Sequence, residues 1–134
     1  MIEILDKTQV TVEEYRSFLE RFTKLLYPVN FEVQLERPWR PVVGISLVEA
    51  AAFCASVNGR LPIAKELREA FSKYPSILRI CPANWEWSST TLDGSHEGYC
   101  VSCGESSWGK FDTWNIQVFT RKDNLGFRCV RPAR

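Results

Sequence analysis

Hydrophobic residues recur at helical steps through the first half of the chain and shrink to brief, strand-like runs in the second. Val12, Tyr15, Phe18, Leu19, Phe22, Leu25 and Leu26 fall three or four residues apart. They follow Thr11-Val-Glu-Glu14, a capping box in which hydroxyl and carboxylate each satisfy an orphan backbone donor. This spacing predicts a helix that runs until just before Pro28. Val29 to Leu35 alternates weakly and predicts a strand, and Pro38 and Pro41 bracket a stiff extended turn. A second capping box, Ser46-Leu-Val-Glu49, opens a helix over about 47–57 that carries Ala50, Ala51, Phe53, Cys54 and Val57. Asn58-Gly59 ends it. Arg60-Leu-Pro62 introduces a short third helix with Leu67, Ala70 and Phe71, which fades by Pro75.

Beyond Pro82 the pattern changes. Trp85-Glu-Trp87, Thr113 to Thr120 and Phe127 to Val130 read as short strands. Thr90 to Ser107 and Arg121 to Asn124 lack periodicity and read as polar loops. Gly126 suits a bulge or a close backbone approach. Helices followed by short strands, with no repeat and no linker, predict one α+β domain.

Composition narrows the function. The chain has 134 residues, with 17 Lys and Arg against 16 Asp and Glu. So even a balance argues against nucleic acid as a partner and against a polybasic membrane surface. No apolar run approaches the ~18 residues of a membrane span, so no membrane insertion is expected. Met1 to Asp6 lacks the form of a secretory leader, which predicts synthesis in the cytoplasm and reduced thiols. Display on a virion or cell surface by another route would leave no mark in these residues. Five Cys is an odd number, so a closed disulfide framework would leave one thiol over. The lone His96 excludes a zinc held by three His and a helical His-Glu-x-x-His pair. It reads as a solvated loop residue.

Four segments resemble the formylglycine-generating enzyme family. They are Gln9-Val-Thr-Val-Glu-Glu-Tyr-Arg-Ser-Phe18; Pro41-Val-Val-Gly-Ile-Ser46 with Ala50 to Cys54; Asn58-Gly-Arg-Leu-Pro62 with Glu66; and Asn84-Trp-Glu-Trp-Ser88 paired with Asn124-Leu-Gly-Phe-Arg-Cys-Val130. Their order matches the family's, and they cover nearly the whole chain. The resemblance implies an α+β C-type lectin fold over residues 1–134. Two main helices would pack on small twisted antiparallel sheets, with long polar loops in the C-terminal half. Trp85, Trp87 or both would anchor the sheet against the helices. Cys54 and Cys129 then read as buried thiols that behave as small apolar residues.

The departures bear on function. Family enzymes are longer, and their extra length lies largely between the "R-L-P" helix and the "W-E-W" strand, a stretch that is short here. They bind copper(I) through two cysteines spaced more widely than Cys100-Val-Ser-Cys103. A minimal copper-dependent oxidase using Cys100 and Cys103 is the alternative reading. For a structural zinc, only Cys81 and His96 are available to complete the set, and neither has ligand spacing. A redox pair would need a helix start, and Gly98 to Gly104 reads as loop. Calcium, which family enzymes bind, loses most of its places with the shortened middle. No cofactor is expected.

Variable proteins of diversity-generating retroelements, built on this same branch of the lectin fold, resemble the chain more closely. Their rewritten segment starts near "W-S-S" and ends at a fixed "G-F-R". Trp87-Ser-Ser89 and Gly126-Phe-Arg128 stand in those places, so residues 88–128 are the candidate variable region. Rewriting an AAC codon yields Tyr, Ser, Cys, His, Asp, Gly or Phe but not Trp, Lys or Glu. Ser95, His96, Tyr99, Cys100, Ser102, Cys103, Ser106, Phe111 and Asp112 fit such draws. Trp108, Trp114, Glu97, Glu105 and Lys110 would be fixed positions. The resemblance thus implies a non-enzymatic binding protein for a protein or cell-surface ligand. Its face would combine Ser95, His96, Tyr99, Cys100, Ser102, Cys103, Ser106, Trp108, Phe111, Asp112 and Trp114, with the aromatics as anchors and Ser and Asp as adaptable contacts.

Overall fold

The computed structural model describes residues 2–22, 26–74, 85–91, 97–102 and 113–133, with 91, 102 and 113–115 placed by their backbone. Both predicted caps are present. Thr11 Oγ1 accepts from the Glu14 N–H at 3.2 Å while the Thr11 N–H donates to Glu14 Oε1 at 3.0 Å. Ser46 and Glu49 repeat the exchange at 3.2 and 2.9 Å. Helices α1 (Val12–Arg21) and α3 (Leu47–Ser56) follow these caps. α1 buries Val12, Tyr15, Phe18 and Leu19, and α3 buries Leu47, Ala50, Phe53 and Cys54. Asn58 takes the left-handed conformation at φ 61°, and the Gly59 N–H closes the end of α3 on the Cys54 carbonyl at 2.8 Å. Gly59 is required for another reason: a Cβ there would meet the Val130 carbonyl oxygen at 2.5 Å.

Two expectations for residues 12–35 need correction. α1 stops at Arg21 instead of running to Leu26. Phe22 leaves helical backbone at φ −127°, ψ 74°, and Leu26 is exposed and not helical. Residues 31–34 form not a strand but the short helix α2 (Phe31–Gln34), entered through Asn30 at φ 54°. The Gln34 side-chain amide supplies what a strand partner would have supplied. Its Nε2 donates to the Val29 and Val43 carbonyls, both at 2.9 Å, and its Oε1 accepts from the Val43 N–H at 3.1 Å.

Helix α4 (Ala64–Lys73) is the predicted third helix. Its first turn is capped by neighbours: the Ile63 N–H donates to Glu66 Oε1, and the Ala64 N–H donates to Thr90 Oγ1, both at 2.9 Å. Glu66 also accepts two bonds from the Arg60 guanidinium at 2.8 and 2.9 Å, joining the "R-L-P" turn to the helix it introduces.

Among the described residues, six strands make two sheets. β1 (Glu3–Leu5) pairs antiparallel with β6 (Val130–Pro132), so the two ends of the chain lie side by side. β2 (Trp85–Thr91), β3 (Glu97–Ser102), β4 (Thr113–Gln117) and β5 (Leu125–Gly126) form a second sheet in the order β4-β3-β2-β5. This sheet is mixed, not wholly antiparallel, because β5 runs parallel to β2. β3 crosses a stretch predicted as loop. The predicted strand at 127–130 resolves into β5 before it and β6 after it.

The sheet is covered on both faces. Trp87 and Cys100, opposite each other in the register, turn into the main core with α1 and α3. There Phe53 sits edge-on to Phe18 and Phe127 at 5.2 and 5.5 Å between ring centres and stacks on Tyr15 at 5.8 Å. Trp87 also donates from Nε1 to the Ile45 carbonyl at 3.0 Å, which settles its polar edge inside the core. On the other face, Val101 packs with Ala64, Leu67 and Phe71 of α4. The chain is therefore a mixed α+β protein with helices against both faces of one small sheet.

Candidate ligand-binding face

The anchoring of the C-terminal half rests on two links that the sequence reading missed. Cys54 of α3 and Cys129 are joined in a disulfide, with Cα atoms 5.5 Å apart. This overturns their reading as reduced thiols. Residues 75 apart are brought together by the packing of α3 against Phe127, a proximity no spacing rule reveals. The second link is ionic. Arg128 and Glu86 are fully buried, and Arg128 Nε and Nη2 donate to the two Glu86 oxygens at 2.8 and 2.7 Å. Arg128 Nη1 donates to the Lys7 and Asp6 carbonyls at 2.8 and 3.3 Å. The guanidinium also lies over the Phe71 ring at 5.3 Å. One side chain thus ties β2, the exit of β1, α4 and the residues before β6 together. The alternation Trp85-Glu86-Trp87 carried the only signal: a Glu between two core-facing Trp must meet a cation on the opposite face.

Several candidate face residues stand on or beside this frame. Cys100 is not a loop thiol. It lies on β3 with no exposed surface, directly across from Trp87, and burial pushes its thiol up to about 12. It is therefore packed away from any surface ligand. Tyr99 points to the opposite face and packs, half-buried, on the α4 cluster. Ser102 and Trp114 are placed by backbone, at the end of β3 opposite Trp85 and on β4 opposite Cys100. Ser95, His96, Cys103, Ser106, Trp108, Phe111 and Asp112 lie outside the described residues, as does Cys81.

The strand ends around these segments are informative. Thr91 and Glu97 stand at one end of β3, where Thr91 is paired with Gly98. Ser102 and Thr113 stand at the other end, where Val101 is paired with Thr113. Residues 92–96 and 103–112 therefore join the sheet at opposite ends of a six-residue strand, about 17 Å apart at ~3.3 Å per residue. Of the candidate residues, Cys103, Ser106, Trp108, Phe111 and Asp112 fall in one segment and Ser95 and His96 in the other.

Other charged groups serve the frame. The carboxylate of Glu49 loses solvation on burial. Hydrogen bonds from Arg121 and from the Ser46 cap outweigh that loss and hold it below the usual carboxylate range. Arg121 Nε donates to Glu49 Oε1 at 2.8 Å, and its Nη1 reaches the Tyr27 carbonyl at 2.9 Å. Among the described residues, no group of three or more His, Cys, Asp or Glu gathers in a way that could hold a metal. No described helix is long and apolar enough to cross a membrane. No protein-family model matches the chain, and no curated protein matches it.

Proposed function

We propose that the chain is a ligand-binding protein on a C-type lectin fold, whose region 88–128 is varied by a diversity-generating retroelement. The observation that carries this reading is the division of labour between frame and connecting segments. The residues shared with the family's motifs interlock as one unit: the Thr11 cap, Cys54 with Cys129, Arg60 with Glu66, Trp87 in the core and Glu86 with Arg128. Of the residues that fit adenine rewriting, Ser95, His96, Cys103, Ser106, Phe111 and Asp112 fall in the segments that join β3 to β2 and β4, while Tyr99, Cys100 and Ser102 lie on β3 itself. A frame held by such links tolerates replacement of its connections, because loop changes leave the core contacts intact. Aromatic side chains such as Trp108 and Phe111 would anchor a protein or cell-surface ligand, with Ser106 and Asp112 as polar contacts.

The test is genetic and then biochemical. The DNA beside the gene should hold a near-copy of the segment encoding 88–128, differing at adenines, together with a reverse transcriptase gene. Absence of both removes the diversification claim. Replacing residues 103–112 with a Gly-Ser linker should leave the melting temperature within a few degrees while abolishing binding to a ligand selected from a surface-protein library. Unchanged binding would remove the face from this segment.

A further inference from the structure

The frame carries a second surface, built mainly from residues 26–43, whose far groove also borders Asp123 and Asn124 of region 88–128. Leu26, Tyr27, Val33 and Trp39 are 71%, 68%, 64% and 70% exposed, and Val29 adds to the same stretch of surface. With a whole aromatic side chain worth ~200 Å², these five expose on the order of 600 Å². That is large for a monomer's apolar patch and close to the ~800 Å² each partner gives to a standard interface. The shape is a ridge between two grooves. α2 forms the ridge, with Val33 and Asn30 shared by both walls. A groove of about 930 Å³ lies on the α1 side, against Leu19 and Tyr27, and one of about 570 Å³ lies on the other, against Val43 and Pro41. The ridge is held in place. Gln34 ties α2 to Val29 and Val43, and the Val12 and Glu13 N–H groups of α1 donate to the Arg40 and Pro38 carbonyls beside Trp39 at 2.8 and 3.0 Å.

The charges around the ridge select its occupant. Arg16, Arg60, Arg121 and Arg131 all have carboxylate partners within the chain. Glu32, Glu36, Asp123, Arg37 and Arg40, on or beside the ridge, form no ion pair among the described residues. An acidic or a basic partner would answer only part of this set. A second copy, turned about a two-fold axis, presents three carboxylates and two guanidinium groups to the same mixed set. It also presents a ridge to a groove and a groove to a ridge, as an isologous interface requires.

We infer that the α2 ridge is a homodimer interface, in which Val33 and Trp39 of each copy enter a groove of the other. This inference is independent of the proposed ligand-binding role. Sedimentation equilibrium of the full chain should show a reversible monomer–dimer equilibrium. Val33→Glu, at an exposed site, should raise the dimer dissociation constant at least tenfold with an unchanged melting temperature. Tyr74→Glu, in a different cleft beside Glu3 and Val130, should leave it unchanged. Reversing Arg37 and Arg40 alone to Glu should break the dimer. Reversing Glu32, Glu36 and Asp123 to Arg in the same chain should restore it, because a two-fold interface stays complementary when all its unpaired charges invert. A monomer at every accessible concentration would overturn the inference. So would a dimer indifferent to Val33→Glu, or a five-charge reversal that fails to restore association.

Discussion

Arg128 shows how a single side chain can decide whether this core holds. A buried guanidinium is tolerated only when its charge and donors are met, and here Glu86 and two backbone carbonyls meet them. Removing one partner leaves the other charged and buried, so Glu86→Leu or Arg128→Met should each cost about 3–5 kcal/mol. That is a large part of the ~5–15 kcal/mol by which a domain is stable. The double variant Glu86→Leu with Arg128→Met should cost far less than the sum of the two. Urea unfolding midpoints of the four proteins measure the coupling, and strict additivity would mean that the pair is not a unit. The sequence displayed both residues within recognisable motifs but gave no means of joining them, since the link spans 42 positions. Cys100 was misread for a related reason. Its polar neighbours suggested a loop, and only the pairing with Trp87 turns it inward.

At the scale of elements, starts were legible and ends were not. A cap is a local device of four residues, so Thr11 and Ser46 announced α1 and α3 correctly. The end of α1 depends on what lies around it. Apolar periodicity continues to Leu26, but that residue belongs to an exposed surface instead of the core face. β3 was invisible because a strand drawn from Gly, Tyr, Cys and Ser shows no alternation. Its faces are set by neighbours, with Gly98 giving way to Leu47, whose Cδ1 would meet a Cβ at 2.3 Å, and Val101 facing α4. A graded prediction follows for the α3 end and the α1 start. Thr11→Ala loses one cap and should cost about 1 kcal/mol. Gly59→Ala should cost more, because its new methyl meets the Val130 carbonyl, a backbone atom fixed by the Arg60–Val130 bridge. Thermal melts of the two variants give the order, and a Gly59→Ala protein as stable as the parent would contradict the close approach.

For the whole molecule, the disulfide matters most, because it joins α3 to the segment that leads into β6. Closing a loop across a separation of 75 residues removes unfolded-chain entropy worth about 4 kcal/mol at room temperature. Dithiothreitol or Cys54→Ser should lower the melting temperature by many degrees, and Cys54→Ser should make the protein insensitive to the reductant. A melting curve unmoved by reduction would mean that the bridge adds nothing. The sequence reading expected reduced thiols from the form of residues 1–6. The fold instead brings two of the five cysteines to bonding distance, which calls for an oxidising environment at some stage of maturation. The α+β class and the starts of α1, α3 and α4 were legible from patterning alone. The bridge, the buried ion pair and the exposed ridge were not, because each joins residues that only the fold makes neighbours.

The β1–β6 pair has a consequence for how such a unit can be handled by evolution or by an engineer. The Ala133 N–H donates to the Ile2 carbonyl at 2.7 Å, so the polypeptide enters and leaves through one doorway, a strand spacing of about 4.8 Å wide. Topologically it is nearly a ring. A host protein could take it up within a single surface loop, and a short peptide across the doorway would let the reading frame open at an exposed turn elsewhere.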